Sequence, residues 1–330
     1  MATVSTDQAS IATILQVAAG AVLPRCLHAV ANLGVADALT DTPQSADTLA
    51  EVTGANPDAL ARALRLLAAN GIFEYRDGLF AHTPASLLLR SDHPHSLRQL
   101  ARMFGLNALW PVVGEIEYSI RTGKPSADRV LDGGVWGYLS GDAEASRVFD
   151  DAMTGKAHGQ VAGVIATYDF SGVTTIADIG GGRGHLLRAV LEKTPSARGV
   201  LFDQPHVVDQ ADLSERMTRQ GGDFFNDTLP ACDIYLLMEV IHDWDDEHAQ
   251  QILSRVRASA AAGARVLLIE ALIPDDEGPS FPRTLDLWML MISGKQRSLE
   301  EYAALLATSG FRFTRALDTH AGVTIVEGTV

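Results

Sequence analysis

The chain has 330 residues, of which 47% are hydrophobic and 20% charged, and it reads as an ordinary soluble globular protein with room for a large core. Its formal net charge of -15 repels nucleic acid and anionic membranes, which disfavours polyphosphate partners. Cys26 and Cys232 are too few and too far apart for a disulfide framework or zinc knuckle, no basic leader opens the chain, and no apolar run reaches the roughly 20 residues of a membrane span, so a reducing, cytoplasmic setting is expected.

In chain order, Ile11 to Leu39 reads as one apolar helix and Ala46 to Val52 as a short one. A third helix, "PDALARALRLLAAN", has Asn56 as its cap, Pro57 at its first position and Gly71 as its stop. "IFEYRDGLFAHT" alternates about Asp77-Gly78, a hairpin signal. Helix, helix and hairpin in that order make a winged helix, a shape that often reads DNA. The would-be recognition helix, however, offers only Arg62 and Arg65 among Ala and Leu, too little positive charge to neutralise a phosphate backbone. A module for dimerisation or for covering a neighbouring domain is the other reading. Helices over Leu97 to Arg121 and Ala143 to Tyr168 follow, separated by the Gly-rich "DGGVWG".

From Val173 onward strands and helices alternate: "VTTIADIGGG", "HLLRAVLEKTP", "ARGVLFD", "MTRQGGDFF", "CDIYLLMEV", "EHAQQILSRVRASAAA" and "ARVLLIEALI". This order predicts a doubly wound α/β sheet with helices on both faces. A helix from Leu299 to Ser309 and strands near Phe311 to Leu317 and Gly322 to Val326 add an antiparallel edge. The expected organisation is a helical and winged-helix domain over 1–95, a helical linker with substrate-pocket residues over 96–170, and a Rossmann-like domain over 171–330. Ligands of such sheets sit beyond the carboxyl ends of the strands.

Three motifs fall there. "DIGGGRG", Asp178 to Gly184, ends a strand and opens a helix, where glycines let backbone amides approach an anionic group. It lacks the Gly-Lys-Ser/Thr of a Walker loop and fits the dinucleotide fingerprint imperfectly, because His185 stands where the third glycine belongs. Asp203, ending the next strand, sits where an acid would hold ribose hydroxyls. Asp223-Phe224 in "GGDFF" reads either as a carboxylate and ring for an adenine or as a turn acid followed by a core Phe. "EVIHDWDDEH" reads as a metal site, a base with its supports, or the polar start of a helix. Asp245 to His248 have the acids that a helix dipole favours, and His242 and His248 lie on different elements, so no metal is expected.

"DIGGGRGHLL", "VLFDQPHVV", "GGDFF", "VIHDWDDEHAQQIL", "VLLIEALIP" and "GKQRSLEEYAALLATSGF", in this order, resemble the S-adenosylmethionine-dependent O-methyltransferases of the plant caffeic acid type and their bacterial natural-product relatives. The resemblance spans nearly the whole chain, and the N-terminal part is similar to that family's dimerisation domain. It implies a class I methyltransferase sheet, a homodimer, S-adenosylmethionine as donor with S-adenosylhomocysteine as product, and a small hydroxylated aromatic acceptor. The implied cofactor set is Asp178, Gly180, Gly182, Asp203, Gln204, Asp223, Phe224 and Met238, with Gly180 and Gly182 facing the methionine moiety, Asp203 the ribose, and Asp223 with Phe224 the adenine. Met238 stands where many relatives have a lysine.

His242 falls on the family's base and Glu270 on the acid that orients it, while Gln296 replaces a second supporting glutamate. Physical chemistry agrees with this reading: a phenol with pKa about 10 is un-ionised at neutral pH, and an imidazole near 6.5 can accept its proton. Trp244 could flank the adenine or serve equally in packing. The expected acceptor pocket takes Met103, Phe149, Met153, Asp243, Trp288, Met289 and Met291, although Met and aromatic residues at helical spacing serve equally as plain core. Two other classes remain open on the sequence, a relative with changed chemistry such as a decarboxylase or hydroxylase, and a winged-helix DNA-binding regulator.

Overall fold

The computed structural model describes residues 7–330; residues 1–6, part of the stretch read for a leader, lie outside the described residues. It divides into two compact units, residues 7–110 with Leu139–Lys156, and Pro111–Tyr138 with Ala157–Val330.

The helix expected from Ile11 to Leu39 is three helices, α1 (Gln8–Ala18), α2 (Val22–Leu33) and α3 (Val35–Ala38). Gly34 makes the second break, because at φ 70 it leaves the helical path and its N–H closes onto Ala31 and Val30 carbonyls. A two-residue strand β1 (Gln44–Ser45) leads into α4 (Ala46–Thr53), and α5 (Pro57–Ala69) follows. The Asn56 side chain accepts from the Ala59 N–H at 3.0 Å, and Pro57 occupies the first turn, as the sequence predicts. Leu60, Leu64 and Leu67 form the buried stripe of α5. Strands β2 (Phe73–Arg76) and β3 (Leu79–His82) pair across Asp77 (φ 50) and Gly78 (φ 83), both left-handed as a two-residue primed turn requires. With β1 they form a three-stranded sheet of order β1-β3-β2. The helical pair and wing expected from the sequence are therefore present.

After α6 (Pro84–Leu87), the long helix expected over Leu97 to Arg121 is also broken, into α7 (Arg98–Phe104), α8 (Leu109–Gly114) and α9 (Ile116–Thr122). Pro111 has no N–H to give an upstream carbonyl, so a helix containing it starts just before it. Next come α10 (Ala127–Val130), α11 (Gly134–Gly141) and α12 (Ala143–Thr167). "DGGVWG" is a break only at its start, where Gly133 and Gly134 have positive φ, and its remainder is helical.

The second unit holds β4 (Thr175–Ile179), α13 (His185–Lys193), β5 (Arg198–Asp203), α14 (Pro205–Val208), β6 (Met217–Gly221), β7 (Ile234–Met238), a single 3-10 turn over Ile241–Asp243, α15 (Asp246–Ser259), β8 (Arg265–Glu270), α16 (Phe281–Ile292), α17 (Leu299–Thr308), β9 (Arg312–Asp318) and β10 (Thr324–Thr329). Its seven-stranded sheet runs β6-β5-β4-β7-β8-β10-β9, parallel from β6 to β8, with β10 antiparallel to both neighbours. This is the class I methyltransferase order. Strands β4, β7 and β8 are mainly apolar and buried on both faces, between two core layers, as central parallel strands must be, with Asp178 and Glu270 as buried charged exceptions. Strand order reverses between β4 and β7, which opens a crevice at their carboxyl ends.

Candidate active site

The expected cofactor residues follow the ends of β4 to β7, on one edge of the sheet. Beyond β4 the chain turns through Gly180 (φ 69), Gly182 (φ 59) and Gly184 (φ 75), a left-handed series that side chains rarely allow. A Cβ on Gly180 would press on Val240 at 2.8 Å, and one on Gly181 would meet the Asp178 carboxyl carbon at 2.5 Å. Around the Cβ position of Gly182, by contrast, there is nothing within 4 Å among the described residues, so this side of the turn faces open space. Asp178 is 1% exposed beneath the turn, its Oδ2 has no hydrogen-bond partner among the described residues, and burial pushes its carboxyl up to about 7, with the Asp203 charge adding to the effect.

Asp203 ends β5 and braces the turn. Its Oδ2 accepts from the Gly182 N–H at 2.8 Å and its Oδ1 from the Gln204 N–H at 2.7 Å, while burial holds its pKa above the usual carboxylate value. Gln204 in turn precedes the first residue of α14. Beyond β6, Asp223 accepts from the Phe225 N–H at 2.9 Å and from Asn226 Nδ2 at 2.7 Å, so its carboxylate shapes its own turn. The Phe224 ring lies edge-on to Trp244 with centroids 5.8 Å apart. Because a side chain at Gly181 would displace Asp178 and the turn above it, Gly181→Ala is expected to weaken S-adenosylhomocysteine binding at least tenfold by calorimetry while the protein still folds.

Strand β7 ends at Met238, and Glu239 then adopts φ 54, a left-handed conformation costly for a residue with a side chain. The 3-10 turn that follows presents His242, 6% exposed. Its Nδ1 stands 3.1 Å from Oε2 of Glu270, the fully buried last residue of β8, and its Nε2 stands 3.4 Å from Asp243 Oδ1. The Nδ1 approach is within ion-pair range but lacks the alignment of a hydrogen bond, so its effect is chiefly electrostatic. Glu270 Oε1 meanwhile accepts from the Ile241 N–H at 2.9 Å. Burial opposes a charge on His242, yet the fields of Glu270 and then Asp243 outweigh it and raise the imidazole pKa well above its ordinary value.

Gln296, 1% exposed, donates its backbone N–H to Asp286 at 3.0 Å, and neither polar atom of its side-chain amide has a partner among the described residues. His248 pairs with Asp245 at 2.7 Å, and among the described residues no group of three or more His, Cys, Asp or Glu could hold a metal ion. The acceptor-pocket candidates are divided between the units. Met103, Phe149 and Met153 pack in one cluster with Val148 and Ala152 in the first. In the second, Trp288 and Met291 line a groove of about 750 Å³ together with Val113, Ile116, Phe281 and Leu287, and Met289 is buried on the same helix, α16.

Sequence reasoning overlooked Arg297, Tyr302 and the backbone around Gly294. Arg297 is 1% exposed and lies against the buried Tyr302 ring. Burial, and then the Glu270 charge, raise the Tyr302 pKa well above the ordinary value. A Cβ on Gly294 would run into the His242 carbonyl. No local pattern marks an arginine as buried, since charged residues are ordinarily exposed.

Residues 114–312 match the O-methyltransferase domain family, and residues 15–103 match the O-methyltransferase dimerisation domain. Phenazine O-methyltransferase PhzM of Lysobacter antibioticus is 38% identical over 323 residues, covering 95% of this chain and 94% of the relative. The crystal structure of CalO1, a methyltransferase in calicheamicin biosynthesis in its SAH-bound form, superposes with TM-score 0.88 at 31% identity, covering 98% of this chain and 99% of that one. NcsB1, an O-methyltransferase from neocarzinostatin biosynthesis in complex with S-adenosylmethionine and 2-hydroxy-5-methyl naphthoic acid, superposes with TM-score 0.78 at 33% identity over 94% of this chain and 96% of that one. With the glycine turn, the acids that end β5 and follow β6 and a histidine between two carboxylates on one sheet edge, the chain belongs to the S-adenosylmethionine-dependent O-methyltransferases.

Proposed function

We propose that the enzyme methylates a phenolic hydroxyl of a small aromatic molecule, with His242 as general base. The observation that carries this reading is the His242 ring, buried at the strand-order reversal with Nδ1 against Glu270. Of the two ring nitrogens, Nε2 is the one left to take the acceptor proton, beside Asp243. Glu270 supports the charged imidazolium that results, as a carboxylate does for a neighbouring cation. A raised pKa makes His242 a stronger proton acceptor but protonates it at neutral pH, so turnover should rise with pH as the neutral form accumulates.

S-adenosylmethionine supplies an electrophilic methyl on a sulfonium. The residues fit such a group: the Cβ position of Gly182 faces open space, and Asp178 has a buried carboxyl oxygen without a partner among the described residues. Gly180 and Gly182 would hold the methionine end, Asp203 the ribose, and Asp223 with Phe224 the adenine, with Asp178, Gln204 and Met238 completing the cofactor site. These residues act by orientation, because displacement at a methyl needs the acceptor oxygen in line with the departing sulfur. Trp288, Met289 and Met291 offer ring and thioether surface for a flat acceptor in the second unit, and Met103, Phe149 and Met153 offer a similar surface in the first. That NcsB1 was solved with a naphthoic acid supports an aromatic acceptor.

The test is incubation with S-adenosylmethionine and a panel of hydroxylated aromatics, read by product mass. Addition of one methyl with one S-adenosylhomocysteine formed supports the proposal. A product that has lost a carboxyl group or gained an oxygen would instead reveal decarboxylase or hydroxylase chemistry on the same cofactor site.

A second copy of the chain is the proposed partner of α1, none of whose residues is buried: Ile14, Leu15 and Val17 are 68%, 65% and 73% exposed. The dimerisation-domain match supports this. Light scattering should give a dimer for the parent and a shift toward monomer for Ile14→Asp; an Ile14→Asp variant that stays dimeric would move the interface elsewhere.

A further inference from the structure

The turn that carries His242 is held from both sides by buried charges of opposite sign. The Ile241 N–H donates to Glu270 Oε1 at 2.9 Å, and the Ile241 carbonyl accepts from Arg297 Nη1 at 3.1 Å. Arg297 also reaches the far end of the turn: Nη2 donates to the Trp244 carbonyl at 2.8 Å, and Nε donates to Asp246, the first residue of α15, at 2.9 Å. Its Nη1 donates in addition to the Lys295 carbonyl at 3.1 Å, and the Lys295 N–H donates to the His242 carbonyl at 2.8 Å. The guanidinium is 1% exposed, with its central carbon 5.8 Å from the centroid of the Tyr302 ring.

A cation at this depth is costly unless its donors are engaged. Here three of its four acceptors are main-chain carbonyls of Ile241, Trp244 and Lys295, residues that flank His242 or bond to it. A planar fork of five N–H groups can reach these divergent acceptors at once, whereas the single ammonium of a lysine cannot.

We propose that Arg297 is a positioning residue for the base: its guanidinium fixes the Ile241–Trp244 turn so that the His242 ring stands against Glu270. This rests on the reading of His242 as the base. A base that accepts a proton in the transition state tolerates little displacement, since a 1 Å misplacement can cost about 100-fold in rate.

The test compares Arg297→Lys and Arg297→Met with the parent and with His242→Ala. In both Arg297 variants kcat is expected to fall about 10- to 100-fold, with KM for S-adenosylmethionine and calorimetric affinity for S-adenosylhomocysteine near the parent's. The His242 titration, followed by NMR on histidine-labelled protein, is expected to move to lower pH as the ring leaves Glu270 while remaining buried. Lysine keeps the charge without the fork and should recover only part of what methionine loses.

A lower melting temperature with kcat per folded molecule and the His242 titration both unchanged would make Arg297 a structural staple only and overturn the proposal. Should Arg297→Met not fold, Arg297→Lys decides on the same readouts. Turnover retained in His242→Ala would remove the base itself; an inactive His242→Ala beside Arg297 variants at parental kcat and titration would remove the positioning role alone.

Discussion

His242→Ala is expected to lower turnover by about 10²- to 10⁴-fold, the usual span for loss of a general base, while S-adenosylhomocysteine affinity stays near the parent's. The split follows from position. His242 comes from the turn after β7, whereas the glycine turn and its bracing Asp203 come from β4 and β5, and Asp203 rather than His242 holds the Gly182 peptide. Residual turnover should depend on the acceptor. A phenol already ionised at assay pH needs no base, and alignment alone then carries the reaction, so the loss should shrink as acceptor pKa falls. Parental kcat in His242→Ala with a neutral, high-pKa phenol would show that another group takes the proton.

Glu270→Gln is expected to move the acid limb of the kcat profile to lower pH, the effect of removing one close opposite charge. Burial of His242 persists in this variant and continues to favour the neutral ring, so without the Glu270 field the imidazole pKa must fall. The plateau rate should fall as well, because the imidazolium formed during turnover loses its supporting carboxylate.

Stability carries the same signature with its own sign. A histidine whose folded pKa is raised stabilises the fold fully below its unfolded value near 6.5, and that contribution is lost as pH rises through the raised folded value. Melting temperature of the parent should therefore decline from neutral into alkaline pH by an increment that is smaller in Glu270→Gln, where only Asp243 still raises the imidazole pKa. Identical pH dependence of kcat and melting in the two proteins would mean that Glu270 does not set the charge of His242.

Local elements were legible in the sequence because their causes lie within a few residues. Asn56 and Pro57 announce α5 through a bond to the Ala59 N–H three residues on, and Asp77-Gly78 announces the wing through two left-handed conformations. Helix length was less legible. An apolar stripe runs from Ile11 to Leu39, but periodicity does not register that Gly34 leaves the helical path, nor that Pro111 forces a restart within Leu97 to Arg121.

At the candidate site the division is the same. By itself the sequence determined the alternation that makes a doubly wound sheet, the glycine turn after its first strand, and, through an ordered set of motifs, the positions of His242 and Glu270. Only the tertiary structure decided that Arg297 is buried against the His242 turn, that the Gln296 amide has no partner among the described residues, and that two carboxylates bracket one imidazole. Caps and turns arise from bonds between near neighbours. The bonds to Ile241 that flank His242, by contrast, join residues 29 and 56 positions apart, and only strand order and close packing bring such groups into reach.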